Sequence, residues 1–373
     1  MLGIPVVVLI LAGPTPVDLA SDGSVQRTVD REPGQYLGHP STVLLPDGQT
    51  MLCVYPKGHG RGELVLKRSE DGGHTWSDRL AVPTSWATSK ETPHLYEMLD
   101  EEGTRRLILF SGLFPIRTSI SEDDGLTWSE LASIGDFGGI VAVADVMPTT
   151  PGGYTAFFHD DGRFLHDGGT RGLFEVYAID TTDGGLTWTE PRVVVADPIL
   201  HLCEPGIIRS KDGKRWAMLL RENSRVKNSH ICFSEDAGAT WSTPTELPAS
   251  LTGDRHQGVY LEDGRLFLSF RDTHAKSPWL GDWVGWIGTW DDLETGGEGA
   301  YVVRLSDNHH RWDCAYPAVE RLANGTLVII TYGHWAEGEP PFIRSVHLTP
   351  ERIAKQFPIK ETQPAVGGRG QLQ

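Results

Sequence analysis

The chain has 373 residues, with 50 Asp and Glu against 33 Lys and Arg, a formal net charge of −17. A surface this acidic repels nucleic acid and anionic lipid, so neither is expected as a general partner. Cys53, Cys203, Cys232 and Cys314 form no CxxC pair, and no glycine-rich loop joins a strand to a helix, so no zinc, nucleotide or other cofactor is expected. A calcium ion on main-chain carbonyls stays open.

Residues 1–13 are apolar, too short a run to span a bilayer and of the length of a secretory signal core. They imply a signal peptide over residues 1–20 and a secreted or periplasmic protein. A first strand or a mis-assigned start is the alternative. Residues 14–34, with three prolines, read as a polar leader, and residues 351–373 as a polar, Gly-rich tail without function.

Between them, over residues 35–350, one pattern recurs: an apolar strand, a tight turn containing Gly, and a second apolar strand. It is seen around Pro46-Asp47-Gly48, Glu102-Gly103, Pro151-Gly152-Gly153, Asp212-Gly213, Asp263-Gly264 and Asn324-Gly325. Six hairpins at such regular spacing predict an all-β, six-bladed β-propeller with four-stranded antiparallel blades. Four of the hairpins are followed by a second repeat, Ser/Thr-x-Asp-x-Gly-x-Thr-Trp, at Ser69–Trp76, Ser121–Trp128, Thr181–Trp188 and Ser234–Trp241. Each copy has the makings of a hairpin turn: hydroxyl and carboxylate to cap backbone N–H groups, Gly for φ > 0, and Trp to pack the turn on the sheet. The fifth hairpin is followed instead by Trp283–Trp290 and Ala300–Leu305, the sixth by Pro341–Val346. Trp279, Trp283, Trp286 and Trp290 read as blade core before a sugar-stacking platform.

A propeller binds ligands at one mouth of its central channel. Entering the first strands stand Gly38-His39-Pro40, Thr92-Pro93-His94, Gly138-Gly139, Cys203-Glu204-Pro205, Asp254-Arg255-His256 and Ala315-Tyr316-Pro317. Leaving the second strands stand Tyr55-Pro56, Ser111-Gly112, His159-Asp160, Arg221-Glu222, Arg271-Asp272 and Tyr332-Gly333-His334. So many ionisable and aromatic residues at equivalent strand ends predict a site there.

The repeated turn resembles the Asp-box (BNR repeat) of the sialidase superfamily, which implies a sialidase-like propeller with the boxes on its outer rim. By that resemblance Tyr316 is a nucleophile, Glu204 the base that lowers the cost of ionising it, and Arg221 with Arg271, or else Arg255, the holder of a substrate carboxylate. The sequence departs from the family in three places. The Arg-Ile-Pro opening of blade one reads Gly38-His39-Pro40. The loop of the acid/base Asp reads Lys57-Gly-His59-Gly-Arg61, with His59 near the Asp position. The late Tyr-Glu pair reads Tyr332-Gly333-His334.

The ring therefore exchanges Arg and Asp for His, which titrates near neutrality and moves protons either way. His39 and His59 are expected to act with Tyr316 and Glu204, and His94, His256 and His334 to line the substrate site. The implied function is exo-acting hydrolysis at a terminal acidic sugar of a glycan, by a monomer or weak oligomer, with a rate that falls on acidification through about pH 6.5. Two alternatives stay open. One is a histidine-based lyase or rhamnosidase, because the Gly-His-Pro and Gly-His-Gly segments resemble propeller enzymes that remove rhamnose from glucuronate. The other is a non-catalytic glycan-binding propeller.

Overall fold

The computed structural model describes residues 13–165 and 172–360. Most of the apolar leader and the end of the polar tail lie outside them.

Six sheets are arranged as a ring of blades, in chain order. Blade 1 holds Ser41–Leu44, Met51–Pro56 and Leu64–Ser69. Its fourth strand is irregular, with Ser77 N–H and Leu80 N–H donating to the Arg68 and Leu66 carbonyls at 2.8 and 2.9 Å. Blade 2 holds Pro93–Leu99, Arg105–Ser111, Arg117–Ser121 and Ala132–Ser133, and blade 3 Ile140–Pro148, Tyr154–Asp160, Glu175–Thr181 and Arg192–Ala196. Blade 4 holds Leu202–Arg209, Trp216–Glu222, His230–Ser234 and Thr245–Glu246, and blade 5 Gly253–Tyr260, Leu266–Asp272, Trp283–Gly288 and Tyr301–Ser306. Blade 6 holds Ala318–Arg321, Leu327–Gly333 and Phe342–Leu348, and its outer strand comes from the other end of the chain, Gln26–Asp30.

Residues 14–34 thus belong to the propeller. Gln26–Asp30 closes the ring on Phe342–Leu348, and Thr15–Asp18 adds a parallel fifth strand to blade 5. The folded unit also runs past residue 350. Helix Pro350–Gln356 is capped by Thr349, Ile353 and Phe357 are buried, and Tyr301 Oη donates to the Pro358 carbonyl at 2.7 Å.

The strands alternate because each blade packs on both faces. In Tyr154–Asp160, Phe157 joins the apolar wedge shared with blade 4, while Ala156 and Phe158 join the wedge shared with blade 2. Six such wedges, one per pair of neighbours, make up the core. Trp283 and Trp286 are fully buried in two of them, as blade core.

The four repeated turns have one hydrogen-bond plan. In the second, Gly125 N–H donates to Ser121 Oγ at 2.9 Å, Thr127 N–H to Asp123 Oδ1 at 2.8 Å, and Trp128 Nε1–H to the Gly125 carbonyl at 3.1 Å. The equivalent glycines, 73, 125, 185 and 238, all have φ between 79° and 89°. Each also lies against the middle strand of the blade before it. A Cβ at Gly125 would stand 2.3 Å from Leu52 Cδ1 of blade 1, and one at Gly185 2.3 Å from Ile108 Cδ1 of blade 2. The Trp side chains follow, with Trp188 edge-on to Phe110 and Trp241 to Phe157. The repeat is a latch between neighbouring blades, and Gly is needed for its backbone angle and for lack of room.

Candidate active site

The inner strands start with a kink. His39, Val141, Glu204, Arg255 and Ala315, none of them Gly, have φ between 46° and 58°, at equivalent places in five of the six blades. Register shifts accompany them in blades 3, 4 and 5. Left-handed backbone costs of order 1 kcal/mol or more per residue, and it gathers here at one mouth of the channel. What the kinks gain is direction: the bulge breaks the two-residue alternation and re-aims side chains towards the axis.

Glu204 and Tyr316 meet there. Tyr316 Oη–H donates to Glu204 Oε1, and Arg221 Nη1 donates to Glu204 Oε1 at 2.7 Å and to Tyr316 Oη at 3.3 Å. Burial pushes the phenol well above its ordinary pKa of 10, and the Glu204 carboxylate pushes in the same direction. Arg221 and Arg271 oppose this, and the hydrogen bond aims the phenol proton at Glu204.

Behind this pair lies a charge hub that sequence reading missed. Asp254 is fully buried and faces three guanidiniums. Arg225 binds it through both ends, at 2.8 and 2.7 Å, Arg271 Nε at 2.9 Å, and Arg221 Nε stands 3.3 Å away. Burial alone would raise the carboxyl, but the guanidiniums, Arg271 foremost, hold it far below the usual range. Arg271 spends its remaining nitrogen on the Trp312 and Cys314 carbonyls. It is buried and committed to the scaffold, so its expected grip on a substrate carboxylate is not free to form. Arg221 Nη2 has no hydrogen-bond partner among the described residues.

The histidines divide into two kinds. His39 is buried, its Nδ1 accepts from Gly60 N–H at 3.1 Å, and its Nε2 meets Tyr332 Oη at 3.0 Å. Burial, then the charge of His59, push its pKa well down. With both nitrogens used, His39 positions its neighbours and is not the proton carrier expected of it. His94, Arg255 and His256 are not at the mouth either. His94 and Arg255 line a cavity of about 240 Å³ inside the channel, beneath Tyr316 and beside Glu320. Arg255 donates to the Pro205 and Ala144 carbonyls, tying blades together. His256 is buried against Phe270, bonded to the Leu251 carbonyl at 2.9 Å, and lowered to about 4 by burial.

His59 is the other kind. Its side chain is 68% exposed, and its Nδ1 lies 2.7 Å from Tyr36 Oη and 3.2 Å from Asp313 Oδ1. Tyr36 Oη donates to Asp313 Oδ1 at 2.8 Å, so His59 Nδ1 carries the hydrogen and Nε2 is left to take up or deliver a proton. His334 Nε2 meets the other oxygen of Asp313 at 3.0 Å. Burial would raise Asp313, but contacts with His59, His334 and Tyr36 hold it well below the carboxylate range. The His39 ring stands between the two groups, 4.7 Å from His59 and 4.8 Å from Tyr316.

Tyr36, Glu91, Arg225, Trp312 and Asp313 complete the mouth and were not anticipated. Glu91 is raised by burial, with Glu204 adding to it. Trp312, 36% exposed, lies between the guanidiniums of Arg225 and Arg311, 5.1 and 4.9 Å from its ring. It is an exposed indole of the kind that Trp279–Trp290 do not supply.

The fold and the ring at its mouth define a sialidase-like six-bladed propeller. The sequence matches the BNR repeat-like domain over residues 114–329, and the chain belongs to that family. No curated protein sequence matches it. Among solved structures it resembles a protein of unknown function from Dyadobacter fermentans, at 15% identity over 87% of this chain and 97% of that one, with a TM-score of 0.69. It resembles the α-L-arabinofuranosidase of Fusarium graminearum in complex with an iminosugar inhibitor, at 12% identity over 87% and 97%, with a TM-score of 0.65. The intramolecular trans-sialidase of Ruminococcus gnavus, in complex with oseltamivir carboxylate, aligns at 13% identity over 88% and 96%, with a TM-score of 0.57. At these identities the likeness is one of fold.

Proposed function

We propose that the chain is an exo-acting glycoside hydrolase that cleaves the bond to a terminal sugar held in this mouth. The observation that carries the reading is the Tyr316–Glu204–Arg221 cluster, a phenol hydrogen-bonded to a carboxylate that a guanidinium holds in place. Tyr316 attacks the anomeric carbon as its proton passes to Glu204, giving a glycosyl-tyrosine and the departing aglycone. His59 Nε2 delivers a proton to the leaving oxygen, then takes one from the water that hydrolyses the intermediate. Asp313 and Tyr36 hold the imidazole in the required tautomer. Glycosidase structures among the fold neighbours support this class of chemistry.

The geometry favours a sugar that does not depend on a carboxylate clamp, such as an arabinofuranoside, because Arg271 is sequestered by Asp254 and position 39 is His. An acidic terminal sugar is the second reading. Three guanidiniums face two carboxylates, Glu204 and Asp254, and this surplus favours an anion on Arg221.

The test is a panel of α-L-arabinofuranosides, sialosides, Kdo glycosides and rhamnosyl-glucuronides, scored for reducing ends and for absorbance near 235 nm, the mark of an eliminated uronate. Release without that absorbance is expected. Tyr316→Phe should cost at least about 10³-fold in kcat, and His59→Ala about 10²-fold with some recovery on activated leaving groups. Full activity in Tyr316→Phe would end the nucleophile reading, and an absorbance rise would replace hydrolysis by elimination.

A further inference from the structure

We propose that His310, Asp313 and His334 form a binding site for one divalent transition-metal cation at the rim of the mouth. One ligand atom from each residue lies within 4.8 Å of the others. Two ligand atoms bound tetrahedrally to one ion at about 2.1 Å stand roughly 3.4 Å apart, so the widest separation in the triad needs to close by about 1–1.5 Å. His310 is exposed and its ring can supply that movement.

The other two ligands are already clamped. His309 N–H donates to the His334 carbonyl at 3.0 Å, and His334 N–H donates to Asn308 Oδ1 at 3.1 Å. Asn308 is itself buried and bonded to Asp282 at 2.9 Å. The site is thus built into the join between the loop before Tyr316 and the end of the second strand of blade 6.

The hydrogen bonds of His334 point to a cation. Its Nδ1 lies 3.0 Å from the Glu339 carbonyl, which can only accept, so Nδ1 carries the hydrogen. The lone pair of Nε2 then faces Asp313 Oδ2 at 3.0 Å, and a carboxylate oxygen only accepts as well. Two acceptors at that distance call for positive charge between them, a second proton or a metal. The His310 ring is stacked on His334 at 4.5 Å, which keeps a second imidazole within reach of the same carboxylate. A metal satisfies both rings and the carboxylate together. A backbone carbonyl on the far nitrogen is also the usual outer support of a metal-bound His.

Two imidazole nitrogens and one carboxylate oxygen suit zinc and its first-row neighbours, not calcium or magnesium, which take oxygen. Three protein ligands leave a position open for water or a sugar oxygen. Asp313 also accepts from Tyr36, so occupancy would be felt at His59. Sequence spacing hid the site because His334 lies 21 residues beyond Asp313, and only the fold joins them.

The full chain, free of any histidine tag and stripped by chelator, is titrated with Zn²⁺ by calorimetry and with Co²⁺ by visible absorption. One equivalent should bind with a Kd of about 10 μM or tighter, and Co²⁺ should show bands of nitrogen and oxygen ligation. His310→Ala and Asp313→Asn should each weaken binding at least about tenfold, while His309→Ala, next door and outside the triad, leaves it unchanged. Circular dichroism confirms that each variant is folded. The absence of binding at about 100 μM metal overturns the proposal, as does binding indifferent to His310→Ala. Loss in His309→Ala equal to that in His310→Ala overturns it too, since it would mean casual chelation by an exposed histidine pair.

Discussion

The outer rim and the channel mouth are built by opposite rules. Each rim turn closes on itself: Ser121, Asp123, Gly125, Thr127 and Trp128 bond one another within eight residues, and the same plan recurs four times. The mouth closes across the ring as well as within its blades. Tyr316 and Glu204 are 112 residues apart, and Tyr332 and His39 are 293 apart. Apart from Arg221 and Arg271, which stand at equivalent strand ends of blades 4 and 5, each blade brings its own side chains there. Repetition serves the scaffold, and the loss of repetition at the inner strand ends leaves room for chemistry.

The largest test of that contrast is Asp254→Asn. It leaves three guanidiniums facing a neutral amide in a buried site, and the loss is expected to be about 3–5 kcal/mol. Activity should fall with it, because Arg221 would lose one of the two carboxylates that fix it. Asp254 and Asp313 also set the acid limit. Their folded pKa values are depressed, so their stabilisation is present above the unfolded value near 3.8 and is lost as pH falls below it. Melting measured from pH 7 to 3 should therefore show a steep fall below about pH 4 in the wild type, and a weaker one in Asp254→Asn. An unchanged melting temperature at pH 7 would mean that the hub holds nothing in place.

At the rim the matching change is Gly125→Ala. Its added methyl meets Leu52, and its φ of 79° is unfavourable to any side chain. A loss of about 2–3 kcal/mol is expected, with kcat on the substrate found by the panel unchanged once the protein is folded. A large fall in kcat without loss of stability would break the division between latch and mouth.

The same contrast explains what could be read from sequence. The rim turns and the hairpins were legible because their signals are local: Gly at φ > 0, a capping carboxylate, alternating apolar residues. Gln26–Asp30 was not, since a strand that closes a ring pairs with residues more than 300 positions away and carries no turn to announce it. At the mouth Glu204, Arg221 and Tyr316 were found, and the structure brings them together. In Asp254-Arg255-His256, however, the strand pattern offers Arg255 and His256, whereas Asp254 is the residue that holds the guanidiniums of Arg221, Arg225 and Arg271 behind the mouth. The left-handed Arg255 breaks the strand alternation, so simple parity assigns the wrong faces. Asp313 stands three residues before Tyr316, and only its distant partners His59 and His334 mark it.

The smallest expected effect lies between the two regions, inside the channel. Glu320 borders the cavity beneath Tyr316 and accepts from Thr42 Oγ1 at 2.7 Å. Burial raises its carboxyl to about 7 against an ordinary 4.5, with Thr42 pulling slightly the other way. The sign follows from proton uptake. Between these two values the folded chain holds a proton that the unfolded chain has released, so the stabilisation is complete below pH 4.5 and is lost as pH rises through 7. Glu320→Gln keeps an acceptor for Thr42 and cannot ionise. It should be close to neutral at pH 5 and more stable than the wild type at pH 8. The gain should be on the order of 1 kcal/mol, less than the full shift implies, because the side chain is partly open to the channel and solvent screens it. The melting difference between variant and wild type, followed from pH 5 to 8, should therefore climb. A flat difference would mean that Glu320 ionises in the channel as freely as it does in water, and a falling one would mean that its charge is used there.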